Sequence, residues 1–301
     1  MKLLSLTSIQ FLLLAFPLTT IFAQPVSESE QEVPVRDRGI ALYYWDSRIY
    51  HHFTNFGDQL SEAIVERIVG HQVRTTFNVL YKRHYGKNKL LAVGSILHLA
   101  EDNDVVWGSG IRGAHLNMKD KSTFRFTQLD VRAIRGPLTR EKLMEIDIDC
   151  PEIYGDPALL LPILFPEFKR KENPSREYIV IPHFSDEYLF RDNPNLVSVK
   201  ENWDSVIRKV LDSKFVISTS LHGLVVAEAF GIPARLLRLT DNEPMFKYKD
   251  YYYGTNRNEF QYATSIEEAL EMGGEPLPKC DLDLLLQAFP FELFPKAKRN
   301  K

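Results

Sequence analysis

The chain has 301 residues, enough for one large or two medium domains. Hydrophobic residues make up 44% and charged residues 26%, which excludes a chain disordered throughout. Lysine plus arginine number 37 against 40 aspartate plus glutamate, a net charge of -3, which argues against nucleic acid as a partner. Two cysteines exclude a disulfide framework and a thiolate-only zinc site.

Lys2 precedes an apolar, uncharged run from Leu3 to Ala23 that ends on a small residue. The pattern predicts a secretory signal peptide over 1–23, or a signal anchor if it stays uncleaved, because the run approaches the ~20 residues that span a bilayer. Residues 24–38 are polar, carry Pro25 and Pro34, and read as a flexible stem. The folded part is therefore expected in the secretory pathway: the Golgi lumen if the source is a eukaryote, or outside the cell. Membrane contact is expected only through the N-terminal segment.

From Gly39 onward, short apolar runs alternate with helical patterns. Strands are predicted at 40–45, 90–93, 105–107 and 126–133, and helices at 60–69 and 137–144, the latter opened by Pro137; 159–164 closes the block. Residues 165–176, with Pro166, Pro174 and a run of charges, read as a linker. The pattern then restarts, with strands at 178–181, 215–218 and 234–239 and helices at 203–211, 224–230, 266–272 and 282–289. Strands alternating with helices imply parallel sheets covered on both faces. Two such blocks, 39–165 and 177–301, predict an α/β protein of two doubly wound domains. Ligand is expected in the cleft beyond the carboxyl ends of the strands.

Chemistry concentrates at strand-to-helix turns. In Phe215–Ala234, a buried strand runs into Ser218-Thr219-Ser220, then Leu221-His222-Gly223 and a helix. Helix-start N–H groups and the helix dipole favour an anion there. An imidazolium at His222 would hold a phosphate or donate a proton. Ser220 adds a donor and Gly223 permits close backbone approach. The rival reading is a helix N-cap with an incidental histidine. Glu228 lies farther along the same helix and is a candidate ligand contact. Thr54 to Gln59 forms the first strand-to-helix turn; Asn55 and Gly57 are candidate contacts, and Asp58 is a catalytic carboxylate or a helix N-cap. Arg135 ends a strand before Gly136-Pro137 and could fork onto phosphate, or could form a surface ion pair. Asp156, in Tyr154-Gly155-Asp156-Pro157, and His183, at a strand end, complete the candidates. His51 and His52 read as loop surface, and Tyr251-Tyr252-Tyr253 as a sugar platform or as packing. The two cysteines, Cys150 and Cys280, read as separate and buried.

The ordered set NFGDQ, AVGS, WGSGI, RGPLTREKL, YGDPALLLP, IPH and STSLHGLVVAEAFGIPA, between Tyr43 and Leu239, is similar to the polysaccharide pyruvyl transferases. It departs in one respect: some relatives carry Arg-Leu-His where this chain has Ser220-Leu221-His222. The resemblance implies two Rossmann-like domains in a GT-B-like arrangement. It implies transfer of the enolpyruvyl carbons of phosphoenolpyruvate onto two hydroxyls of a sugar, giving a cyclic pyruvate ketal. Phosphoenolpyruvate is then the donor substrate, a sugar the acceptor, and neither metal nor cofactor is required. Arg135, His222, Ser220 and Gly223 would meet the donor's anionic groups. His222 would be the acid, and Asp58 or Asp156 the base. Two other classes fit the same pattern: a glycosyltransferase with a nucleotide sugar at the His222 helix, and a non-catalytic, lectin-like secretory protein.

Overall fold

In the computed structural model, residues 39–77, 87–113 and 117–294 are described, and within them nine short strands form two wholly parallel sheets. The predicted signal segment and stem lie outside the described residues. The first sheet has the order β2-β1-β3-β4-β5, with β1 at Ala41–Tyr43, β2 at Thr75–Thr76, β3 at Lys89–Leu91, β4 at Val105–Trp107 and β5 at Asp130–Ala133. The second has the order β6-β7-β8-β9, with β6 at Ile179–Ile181, β7 at Val216–Ser218, β8 at Ala234–Leu237 and β9 at Tyr262–Ala263. In register, Leu42 faces Leu90 and Ile181 faces Ser218. All residues of β1, β3, β4, β6, β7 and β8 are buried, as expected of parallel strands covered on both faces.

The helices Pro137–Met144, Trp203–Leu211 and Ile266–Met272 fall where the periodicity predicts them. Two others start earlier than predicted. Phe56–Val69 begins directly after Asn55, whose side chain accepts from Gly57 N, and Leu221–Ala229 places His222 in its first turn. Met245–Gly254 is a helix that the sequence pattern hides. Among the described residues, no helix is long and apolar enough to cross a membrane. Cys150 is buried, Cys280 is half-buried rather than buried, and both are free thiols.

One hydrophobic cluster runs through both sheets, from Leu42, Leu90 and Trp107 to Ile179, Val216 and Leu236. The Met245–Gly254 helix leaves the second sheet and lies against Pro137–Met144, which follows the first. The contact is built on the buried Asp250. Its carboxylate accepts from Arg135 Nε at 3.0 Å, Thr139 N at 2.9 Å and Thr139 Oγ1 at 2.7 Å. A side chain at Gly136 would place its Cβ 1.8 Å from the Asp250 carbonyl oxygen, and one at Gly254 would lie 2.2 Å from that of Arg135. Backbone meets backbone here because both positions lack a Cβ. The end of the chain also returns to the first sheet, although its sequence position groups it with the second block. Trp107 Nε1 donates to the Leu285 carbonyl at 2.8 Å and Ile40 N to that of Leu293 at 3.1 Å.

Removing one partner of a buried ion pair leaves the other charge uncompensated and costs about 3–5 kcal/mol. Arg135→Met and Asp250→Leu should each lower unfolding stability by about that amount, and the double variant by less than the sum. Denaturant titration of the four proteins measures the coupling; strictly additive losses would contradict the lock.

Candidate active site

The turns after β1, β3, β4, β6 and β7 open on one cavity of about 290 Å³. Asn55, Asp58, His183, Ser220 and His222, all expected from the sequence, line it. So do Ser95, Arg112, Glu243 and Lys247, which the sequence did not single out, and His51, which was read as surface. His51 is exposed as well as lining, whereas His52 is only exposed.

His222 is held by its neighbours on two sides. The ring sits on Gly57, so closely that a Cβ there would lie 2.1 Å from Nδ1. This is why the NFGD turn needs a glycine. On the other side, His222 Nε2 lies 3.8 Å from Asp156 Oδ2, and neither atom has a hydrogen-bond partner among the described residues. Asp156 Oδ1 is occupied by Ala158 N at 2.9 Å, capping the short helix Pro157–Leu160. The ring thus stands where two helices, Phe56–Val69 and Leu221–Ala229, begin. Both positive ends favour an anion and disfavour an imidazolium.

The cations come from the hidden helix and from the turn after β4. Lys247 Nζ donates to Glu243 Oε2 at 2.5 Å, and Arg112 grips the same carboxylate at 2.6 Å and 3.3 Å. His183 Nε2 stands 3.5 Å from Glu243 Oε1, while its Nδ1 lies 2.8 Å from Ser185 Oγ. Lys247 does not stand out in the sequence because its helix mixes tyrosines, lysines and Asp250 on buried faces. The usable signal was Lys247, Tyr251 and Gly254 at one helical spacing after Pro244.

Besides Gly57 and Asp156, which stand against His222 and do not line the cavity, three expected contacts are placed elsewhere. The Arg135 fork, expected on phosphate or at the surface, is buried and closed on Asp250, on Ser95 Oγ at 2.5 Å and on the Ile111 carbonyl at 2.7 Å. Glu228 is buried away from the cavity. It accepts from Arg257 at 2.8 and 2.9 Å and from the Tyr251 hydroxyl at 2.6 Å. Gly223 serves packing: a Cβ there would be 2.3 Å from Ser218 Oγ and 3.1 Å from Ile181 Cβ. Tyr251 and Tyr252 are fully buried, which settles them as packing residues.

Burial levels the charges of this site. It pushes Asp58 up to about 7, opposed by the Ser47 hydroxyl and by Lys247. It pushes Asp156 up to about 6, opposed by Ala158 N–H and the charge of Arg135. Burial drives His222 down to about 3, helped by Lys247, Arg135 and His183, and His183 down to about 4, helped by Lys247. Burial would also raise Glu243, but Lys247, Arg112 and His183 hold it at about 2. At neutral pH, His222 is therefore an uncharged imidazole in the free protein, not the imidazolium the sequence suggested. A nearby negative charge acts in the opposite direction and favours the protonated ring.

Parallel sheets with a cavity at their strand ends, where cations stand beside titratable groups, are the arrangement of an α/β enzyme site. The sequence matches the profile of the family "Polysaccharide pyruvyl transferase" over residues 55–241, and the chain belongs to that family. An uncharacterized protein of Acanthamoeba polyphaga mimivirus is 27% identical over 265 residues, covering 80% of this chain and 87% of its own. The succinoglycan biosynthesis protein ExoV of Rhizobium meliloti (strain 1021) is 27% identical over 222 residues, which is 69% of this chain and 63% of ExoV. Among solved structures, an uncharacterized Klebsiella pneumoniae protein superposes with a TM-score of 0.44 at 12% identity, over 75% of this chain and 93% of its own.

The shift of Asp58 makes a stability prediction with a definite sign. Its folded-state value, about 7, lies above the ordinary carboxylate value of 3.8, so folding favours the protonated acid. The stability that Asp58 contributes is present in acid and lost as pH rises through about 7. Asp58→Asn should therefore melt higher than the parent at pH 8, with the gap closing toward pH 4. A pH-independent gap in thermal melts would refute the raised value of Asp58.

Proposed function

We propose that the protein transfers the pyruvyl group of phosphoenolpyruvate onto two hydroxyls of one sugar in a glycan, forming a pyruvate ketal. Family membership supplies the pyruvyl chemistry. The observation that favours phosphoenolpyruvate as donor is the cavity itself. Arg112 and Lys247 face His222 and Asp58 in about 290 Å³, which is small against the ~300–1,000 Å³ of most ligand pockets. That volume suits a compact phosphate-carboxylate better than a nucleotide sugar. On this reading each sheet is the core of one Rossmann-like half of a GT-B-like enzyme.

The reaction has two parts. A sugar hydroxyl attacks C2 of the donor while a proton reaches the methylene carbon, which becomes methyl. Phosphate then leaves with the C2–O electron pair, and the second hydroxyl closes the ketal and loses its proton. Arg112 and Lys247 bind the anionic donor, whose charge raises His222 until it carries the proton to be delivered. Asp58, ionised above about pH 7 in the free protein, takes the hydroxyl proton. Asp156, 3.8 Å from His222 Nε2, stands behind the ring as the second carboxylate of the site. The apolar run 1–23 and the stem favour the secretory lumen, Golgi or extracellular, as the site of this activity. A tagged full chain found wholly in the cytosol would overturn that location.

The decisive assay incubates purified protein with phosphoenolpyruvate and a panel of glycosides and follows pyruvate addition by mass spectrometry. His222→Ala should lower turnover about 10²–10⁴-fold in a folded protein. His222→Gln, which donates a hydrogen bond but no proton, should fare no better. The parent's kcat/KM should fall as pH drops below about 7, where Asp58 takes up its proton, and Asp58→Asn should abolish that limb. Pyruvate addition at the parental rate by both His222 variants would remove His222 as the acid.

A further inference from the structure

The cavity has a second wall that the donor chemistry does not use. His51 stacks on Phe53 with ring centroids 5.5 Å apart and planes 22° from parallel. Both rings meet Phe184, at 5.2 Å and 5.7 Å, and Phe184 touches His183 at 4.4 Å. Trp45, His51 and Phe184 line the cavity, and Phe53 backs them with the Lys200 ammonium 5.1 Å from its ring centroid. The wall is assembled from both halves of the fold: Trp45, His51 and Phe53 follow β1, and Phe184 follows β6. One turn of helix, Ser47–His51, carries His51 at its end and Ser47 at its start. The Ser47 hydroxyl donates to Asp58 Oδ2 at 3.4 Å. The general base is thus tied to the aromatic wall on one side and feels the Lys247 charge on the other.

We propose that the wall formed by Trp45, His51 and Phe184 is the acceptor subsite, on which a pyranose ring lies flat with its diol edge toward Asp58. This deepens, and rests on, the pyruvyl-transfer function. Aromatic rings offer a large apolar face to the axial C–H groups of a sugar while the hydroxyls stay free at its edge. A phosphate-carboxylate has no use for such a face, and the cations sit past His183 around Glu243. The two substrates therefore meet over Asp58 and His222.

The test separates the substrates. Saturation-transfer NMR with methyl galactoside, glucoside and mannoside, without donor, should show sugar ring protons close to the parental protein. Phe184→Ala and His51→Ala should each weaken that signal, and Phe184→Tyr should restore it. In turnover assays, Phe184→Ala should raise the acceptor KM about tenfold and leave the donor KM unchanged. His51 is exposed, so its variant serves as the check if Phe184→Ala fails to fold. The subsite is overturned if no glycoside signal is seen in the parent, if the signal survives both alanine variants, or if the donor KM rises in parallel. A glycoside signal that disappears in the variants, in a protein that adds no pyruvate from phosphoenolpyruvate, upholds the sugar subsite and rejects the donor.

Discussion

The buried carboxylate of Asp250 sets the position of the helix that carries Lys247 into the cavity. It takes three hydrogen bonds from Arg135 and Thr139 and so fixes the Met245–Gly254 helix against the first sheet's Pro137–Met144 helix. Lys247 lies three residues earlier on the same face of that helix and is thereby aimed into the cavity. A second clamp holds the helix where Tyr251 donates to Glu228 and Arg257 pairs with the same carboxylate. The RGPLT run is thus a docking device. Arg135 supplies the charge, Gly136 the close approach, Pro137 the helix start and Thr139 two donors. Its effect on catalysis passes through the helix it positions.

Inside the cavity, burial sets the chemistry more than pairing does. Low dielectric surroundings discharge the two histidines and raise the two aspartates, Asp156 to about 6 and Asp58 to about 7, beside the charged Arg112, Lys247 and Glu243. On the proposed mechanism, a multiply negative donor would raise His222 as it binds, so that substrate binding and arming of the acid would be one event.

Much of this was legible in the sequence, for identifiable reasons. Buried parallel strands read as short apolar runs, and Pro137 and the 203–211 periodicity mark their helices closely. His222, Asp58 and Asn55 were found because strand-to-helix turns are where such folds bind ligand. What failed was the assignment of charged residues whose partners are distant in sequence. Arg135 meets Asp250 across 115 positions, and Glu228 meets Arg257 across 29. No local spacing reveals those pairings. The Met245–Gly254 helix was hidden because its buried face carries lysine, aspartate and tyrosine in place of aliphatic residues. The charge state of His222 was also beyond the sequence, since it depends on burial that only packing determines.

Donor binding should protonate a histidine that is neutral in the free protein, and on that step the whole mechanism turns. Calorimetric titration of phosphoenolpyruvate at pH 6, repeated in buffers of different ionisation enthalpy, measures that proton directly. Asp58 also titrates near there, and its own exchange is removed in an Asp58→Asn background. The expected result is proton uptake on binding in that background that is lost on adding His222→Gln. Binding without proton uptake, or uptake that survives His222→Gln, would contradict it.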